Sequence, residues 1–143
     1  MKFKYSKFLA KPSEAFPDLK EVWRPVVPIK IINQEKEYGY LALVDSGADF
    51  CIFDGEVGEY LGFDVRTGQK ETFGGIQPSS PSEAFLHDIS INIGGWDYTT
   101  TVGFSYDISQ HGYGILGQKG FFDIFVVKFD LAKEEIELKE RKG

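Results

Sequence analysis

The sequence predicts a single, mainly β domain, and three observations carry that prediction. Two long runs alternate apolar with polar residues on either side of Gly94-Gly95, the period-two pattern of a hairpin whose turn needs positive φ angles. Several shorter runs rich in Val, Ile, Tyr and Phe are separated by Pro, Gly and Asn. Helical composition is confined to two short stretches, around Glu56 to Leu61 and around Gln118 to Asp123. A chain of 143 residues can bury roughly 68–70% of its unfolded surface, enough for a core without disulfide or metal.

In chain order, residues 1–21 are polar and carry Pro12 and Pro17, which suits a leader of strand or coil wrapping a domain that spans 22–143. Trp23 to Ile32 is β-branched and extended, but Pro25 and Pro28 donate no ladder hydrogen bond and place its start at an edge. After a polar turn at Asn33 to Glu37, Tyr38 to Val44 is apolar on both faces, as a strand through the core should be. Phe50 to Phe53 is a short apolar strand, and Gly62 closes the first helical stretch. Phe85, His87, Ile89, Ile91 and Ile93 then share one face of the long hairpin, answered by Trp96, Tyr98, Thr100, Val102 and Phe104. Tyr113 to Gly117, the second helical stretch, and a last hairpin from Phe125 to Leu138 complete the chain.

A net charge of −6 argues against a polyanion, since nothing here would displace counterions from a phosphate backbone, and no nucleic acid is expected. The C-terminal lysines alternate with acids and form no basic patch. The lone Cys51 lies in the apolar run Phe50-Cys51-Ile52-Phe53 and reads as a small buried hydrophobe in a reducing compartment. The basic start is followed by no apolar signal region and no run is long enough to span a bilayer, so a soluble, cytoplasmic protein without membrane contact is expected.

One stretch carries chemistry. Ala42-Leu43-Val44 runs into Asp45-Ser46-Gly47-Ala48-Asp49: a strand delivers a carboxylate, a small hydroxyl residue can tie the loop down, and glycine lets the backbone turn beneath the carboxylate. Asp45 is the one aspartate followed by any residue and then Gly. This stretch resembles the active-site loop of the aspartic proteases. With Thr72-Phe73-Gly74-Gly75-Ile76 and Gly114-Ile115-Leu116-Gly117 following in order, residues of roughly 23 to 139 resemble a retropepsin, the single-domain aspartic protease family of retroviruses and their cellular relatives.

That resemblance implies a closed β-barrel with one short C-terminal helix, and a homodimer whose chain ends meet at the interface. It makes Asp45 the catalytic carboxylate, one from each chain, because aspartic proteases need two. Ser46 would reach across to the opposite loop, Gly47 would let the two carboxyls become nearly coplanar, and Ala48 would line a substrate pocket. Phe73, Gly74, Gly75 and Ile76 fall where the family carries its flap, with Ile76 touching substrate, and Ile115, Leu116 and Gly117 where a segment passes beside the catalytic loop. Two carboxyls about 3 Å apart cannot both ionise, so the pair holds one proton, with aspartic proteases the standard example. One member is then base and the other acid toward a water attacking the peptide carbonyl, with no metal or cofactor. The substrate is polypeptide, bound extended. The alternative is a catalytically silent homodimer that keeps the groove as a peptide-binding or assembly module.

Other signals fail on context. Gly112-Tyr113-Gly114-Ile115-Leu116-Gly117 matches the dinucleotide fingerprint in letters, but 26 residues follow where a helix, a second parallel strand and a distant acid are required. Asp45, Asp49 and Asp54 lack the alternate spacing of a calcium loop. His87 and His111 stand apart with no cysteine cluster near either, so neither a metal site nor a Ser-His-Asp triad has support.

Overall fold

Strand β1 (Lys2–Lys4) and β2 (Ser6–Leu9) occupy the polar start, and β3 (Glu21–Arg24) pairs antiparallel with β2. The computed structural model describes residues 1–74 and 81–142. Past Pro25 run β4 (Val26–Asn33) and β5 (Lys36–Val44), an antiparallel hairpin turned at Gln34, whose φ is 55°. Then follow β6 (Ile52–Asp54) and helix α1 (Gly55–Tyr60). Asp54 caps α1 by accepting the Glu56 N–H at 2.9 Å, and Gly62, with φ of 92°, lets the chain leave after Leu61. Next come β7 (Gln69–Phe73), β8 (Ser82–Ile93) and β9 (Trp96–Ser105), with Gly94 and Gly95 at φ 60° and 83° in the turn the sequence placed there. The chain ends with β10 (Gly114–Leu116), β11 (Phe125–Asp130) and β12 (Glu135–Glu140).

Six of these strands close into a barrel. Its order is β4, β5, β10, β6, β9, β8, and β8 returns to β4 through Lys30↔Asn92, Ile31↔Ile91 and Ile32↔Ser90. That contact begins only at Lys30, so the first half of β4, Pro28 included, has a partner on one side alone. β10 lies parallel to β5 and antiparallel to β6, threading between them. β7 is added outside β8, from Gln69↔Leu86 to Phe73↔Ser82, and forms a hairpin arm leading to the segment 75–80.

Alternation on the strands delivers the core. Ile31, Ala42, Phe53, Ile91, Val102, Phe104 and Leu116 are fully sealed from solvent, and Phe53 packs edge-on to Tyr40 and Phe104. A second sheet, in the order β1, β12, β11, caps the barrel and buries Phe125, Ile136 and Leu138. The N-terminal ammonium donates to the Leu138 carbonyl at 2.9 Å, and Tyr5 reaches the core from the leader. Among the described residues no helix is long and apolar enough to cross a membrane.

The short C-terminal helix expected at Gln118 to Asp123 is instead a run of turns. Gly120 takes φ 98°, its N–H is captured by the Asp123 carboxylate at 3.0 Å, and Phe122 and Asp123 donate five residues back to Gly117 and Gln118. Among the described residues α1 is the α-helix of the fold, joined by single 3-10 turns at Val65–Thr67 and Tyr106–Ile108.

Candidate active site

Asp45 sits at the end of β5, the first residue beyond the strand's apolar run. Its own N–H donates to the Leu116 carbonyl at 3.0 Å, and its Oδ1 accepts the Gly47 N–H at 2.9 Å, which curls the loop beneath the carboxyl. Oδ2 has no protein partner among the described residues. The side chain is half-exposed and faces outward from a single chain, in company with the exposed Ser46 and Gly47.

The segment after β10 holds this loop from behind. Gln118 donates its backbone N–H to Ala48 at 2.8 Å and its side-chain Nε2 to Ser46 at 3.0 Å, while Lys119 donates to Asp49 at 2.9 Å and accepts from Cys51 at 3.2 Å. Gly117 is needed here because a Cβ would run into the carbonyls of Phe50 and Ala48. The sequence placed Ile115, Leu116 and Gly117 beside the loop, and the structure brings them there: Leu116 is sealed in the core, and Ile115 looks into a cleft. Gln118 escaped the sequence reading, and its one signal was its position next to Gly117.

The cleft has a volume of about 220 Å³ and is walled by two carboxylates, Asp45 and Asp49, together with Gly47, Ala48, Phe50, Ile52, Phe73 and Ile115. Gly74 lies at its rim, so of the four flap candidates Phe73 and Gly74 meet the cleft, whereas Gly75 and Ile76 lie outside the described residues. Phe50 and Phe73 meet edge to face with centroids 6.1 Å apart, tying the far end of the β7–β8 pairing to the loop that carries Asp45. The sequence reading took Phe50 to Phe53 as a short apolar strand and gave Phe50 no role. Alternation with the buried Cys51 puts it on the cleft side. A larger concavity of about 480 Å³ between Met1, Trp96 and Glu140 contains none of the candidate residues.

Cys51 is sealed behind the loop, and burial foremost pushes its thiol up to about 12. That is an inert thiol. Burial likewise raises Tyr40 to about 12, although its hydroxyl accepts the Asp54 N–H at 3.3 Å, which acts in the opposite sense. Among the described residues no group of three or more His, Cys, Asp or Glu side chains is placed to hold a metal ion.

No protein-family model matches the chain, and no curated protein matches it in sequence. Solved structures do. The retroviral protease-like domain of Ddi1 from Leishmania major superposes with a TM-score of 0.56 at 22% identity, over 80% of this chain and 87% of that one. A retropepsin-like aspartic protease from Rickettsia conorii superposes with a TM-score of 0.54 at 16% identity, over 94% of this chain and 91% of that one. The barrel, the threaded β10 and the β7–β8 arm together are the retropepsin fold.

Proposed function

We propose that this chain, which has the retropepsin fold, is an aspartic endopeptidase working as a homodimer, with Asp45 of each copy forming one shared site. The observation that carries this reading is the placement of Asp45. Its carboxyl is held by the Gly47 N–H, backed by the β10 segment, and set in the wall of a cleft with Asp49 and the rings of Phe50 and Phe73, where the β7–β8 pairing ends. A single carboxylate there has no partner to act as the acid when it acts as the base. A second copy, related by a twofold axis at this surface, supplies it.

In that pair one carboxyl is ionised and takes a proton from the water between them, and the other donates toward the carbonyl oxygen of the peptide bond. The tetrahedral species then collapses with proton return to the leaving nitrogen, without a covalent enzyme intermediate. Substrate lies extended over the cleft, main chain against main chain, with an apolar side chain laid against the contacting rings of Phe50 and Phe73. Gly75 and Ile76 would cover it from the arm, and Ser46 would bond across the axis. The protein in this account takes polypeptide and needs no cofactor.

The test is incubation of purified protein with an unfolded polypeptide at mildly acid pH, beside Asp45→Asn. Asparagine keeps the shape and removes the general base, so cleavage should fall at least a hundredfold with fold and dimer retained. Cleavage that survives the substitution contradicts the reading. A wild type that binds peptides and cuts none supports the silent module instead.

A further inference from the structure

β12 cannot receive a second chain, because it is flanked on both sides, by β1 through Lys2↔Glu137 to Lys4↔Glu135 and by β11 along its whole length. The sheet therefore ends in two edges. That of β1 is three residues long and guarded by Lys2 and Lys4, which already hold Glu137 at 3.8 Å and Glu135 at 3.3 Å. That of β11 has no strand beside it among the described residues, and it carries exposed apolar side chains: Val126 at 54%, Phe129 at 42% and, in the turn beyond, Leu131 at 66%.

The main chain of this edge is unused as well. The Ile124 carbonyl accepts the Arg141 N–H at 2.8 Å, so Ile124 and, by alternation, Val126, Lys128 and Asp130 direct their main-chain groups toward β12. Those of Val127 and Phe129 point the other way, out from the edge. The charges along it are unmatched too. Among the described residues neither Lys128 nor Asp130 forms an ion pair, and Asp130 stands directly opposite Glu135, a like-charge pair within the chain.

These features select both an occupant and its register. A second β11, run antiparallel about a twofold axis through the outward-facing stretch, can place that axis at Val127, Lys128 or Phe129. At Val127, Lys128 faces Val126 of the other copy and no charge meets its opposite. At Lys128 the two lysines oppose each other. At Phe129, Lys128 of each copy lies opposite Asp130 of the other, Phe129 faces Phe129, and Leu131 falls over Val127 of the other copy. Both Lys–Asp pairs then occupy the closer, non-hydrogen-bonded positions, while the Phe129 main chains bond across the axis.

β11 is also tied at both ends to what holds Asp45. Before it, Phe122 and Asp123 donate to Gly117 and Gln118, in the segment that clamps the Asp45 loop. Beyond it, the Glu134 carbonyl accepts the Tyr5 N–H at 2.8 Å, and the neighbouring Ser6 holds Val26, which lies opposite Leu43 on the strand leading into Asp45.

We propose that the free edge of β11 is the docking surface for β11 of a second copy of this chain, antiparallel about Phe129, so that two three-stranded sheets join into one of six. The proposal rests on the shared-site reading above and specifies the surface that assembles it.

Charge exchange tests it by sedimentation of the full chain, with circular dichroism to verify folding. Lys128→Glu and Asp130→Lys each turn two attractive pairs into two repulsive ones, so each variant alone should dimerise roughly tenfold more weakly or worse. Mixing the two variants restores both pairs, so the heterodimer should form with near wild-type affinity and recover cleavage, the Asp45 loop being untouched. A second measurement does not depend on these variants. Phe129→Cys should give a disulfide-linked dimer with oxidised glutathione, since directly opposed residues of a hydrogen-bonded pair lie about 5.5 Å apart at Cα. Val126→Cys, also exposed but roughly 20 Å from its counterpart in that register, should not, and the buried Cys51 contributes nothing in either. Unchanged association of the single variants, a mixture no tighter than its parts, or equal crosslinking at 126 and 129 overturns the β11 edge and leaves the catalytic reading standing. A wild type that stays monomeric at every concentration overturns both. Dimers joined through β11 that cut nothing overturn the catalytic reading alone.

Discussion

Gly117→Ala puts the smallest side chain where the fold has least room, and its effect follows from the backbone that surrounds it. The added Cβ would lie 2.8 Å from the Ala48 carbonyl oxygen and 2.7 Å from the Phe50 carbonyl carbon, with the Phe50 oxygen nearer still, against 3.4 Å for ordinary contact. The 48–50 backbone must then retreat by more than 0.7 Å, the difference between 2.7 and 3.4 Å, because the Phe50 oxygen is nearer still. None of these atoms belongs to a side chain that can swing aside, so the cost lies toward the upper end of the roughly 1–3 kcal/mol typical of overpacking. In a chain of 143 residues this lowers the melting temperature by about 10 °C. The retreat carries Asp45 with it, and displacements approaching 1 Å in a catalytic group cost roughly 10–100-fold in rate. Gly39→Ala is the control, since nothing lies within 4 Å of the position of its Cβ; it should be neutral, or stabilising by about 0.4–1 kcal/mol. Thermal melting by circular dichroism and cleavage rates on both variants decide the matter. If Gly117→Ala melts and cuts like Gly39→Ala, the β10 segment does not set the position of the Asp45 loop.

Stability should fall with alkali. Cys51 is raised from 9.0 to about 12 and Tyr40 from 10.0 to about 12, so the unfolded chain sheds protons that the folded chain keeps. Their contribution is fully present below about pH 9 and is lost as pH climbs to about 12, which urea midpoints at pH 8, 10 and 11 would register. A flat midpoint contradicts it, and Cys51→Ala should shrink the slope. Gln118→Ala removes the Nε2 bond to Ser46 while leaving the backbone clamp, so stability should drop by about 0.5–1 kcal/mol and cleavage severalfold, measured by denaturant titration and initial rates.

The long β8–β9 hairpin was legible because it alternates over its whole length and turns on two glycines, a local signal that tertiary context had no reason to override. The Asp45 loop was legible for a similar reason, a strand ending abruptly in residues suited to a turn. β7 was not: Gln69, Lys70, Glu71 and Thr72 are all exposed, so no burial pattern marks the strand that carries the arm. β1 is a strand because of Glu135 to Glu137, more than a hundred residues away, a pairing no window of sequence contains. At Gln118 to Asp123 a short helix was expected, but Gly120 and the Asp123 carboxylate settle the backbone into turns. Phe50 was lost in an apolar run because burial and cleft lining look alike in sequence, and its side follows only once Cys51 is seen to be buried.

The central claim is that two copies of Asp45 make one site. Mixing wild type with Asp45→Asn in equal amounts and letting the subunits exchange tests it directly, with exchange followed by mass labelling. Random pairing leaves roughly a quarter of the dimers fully wild type, so activity per total chain should settle at about a quarter and scale as the square of the wild-type fraction. Activity that settles at half and follows the wild-type fraction linearly, after exchange is complete, would mean that each chain carries its own site and would contradict the account.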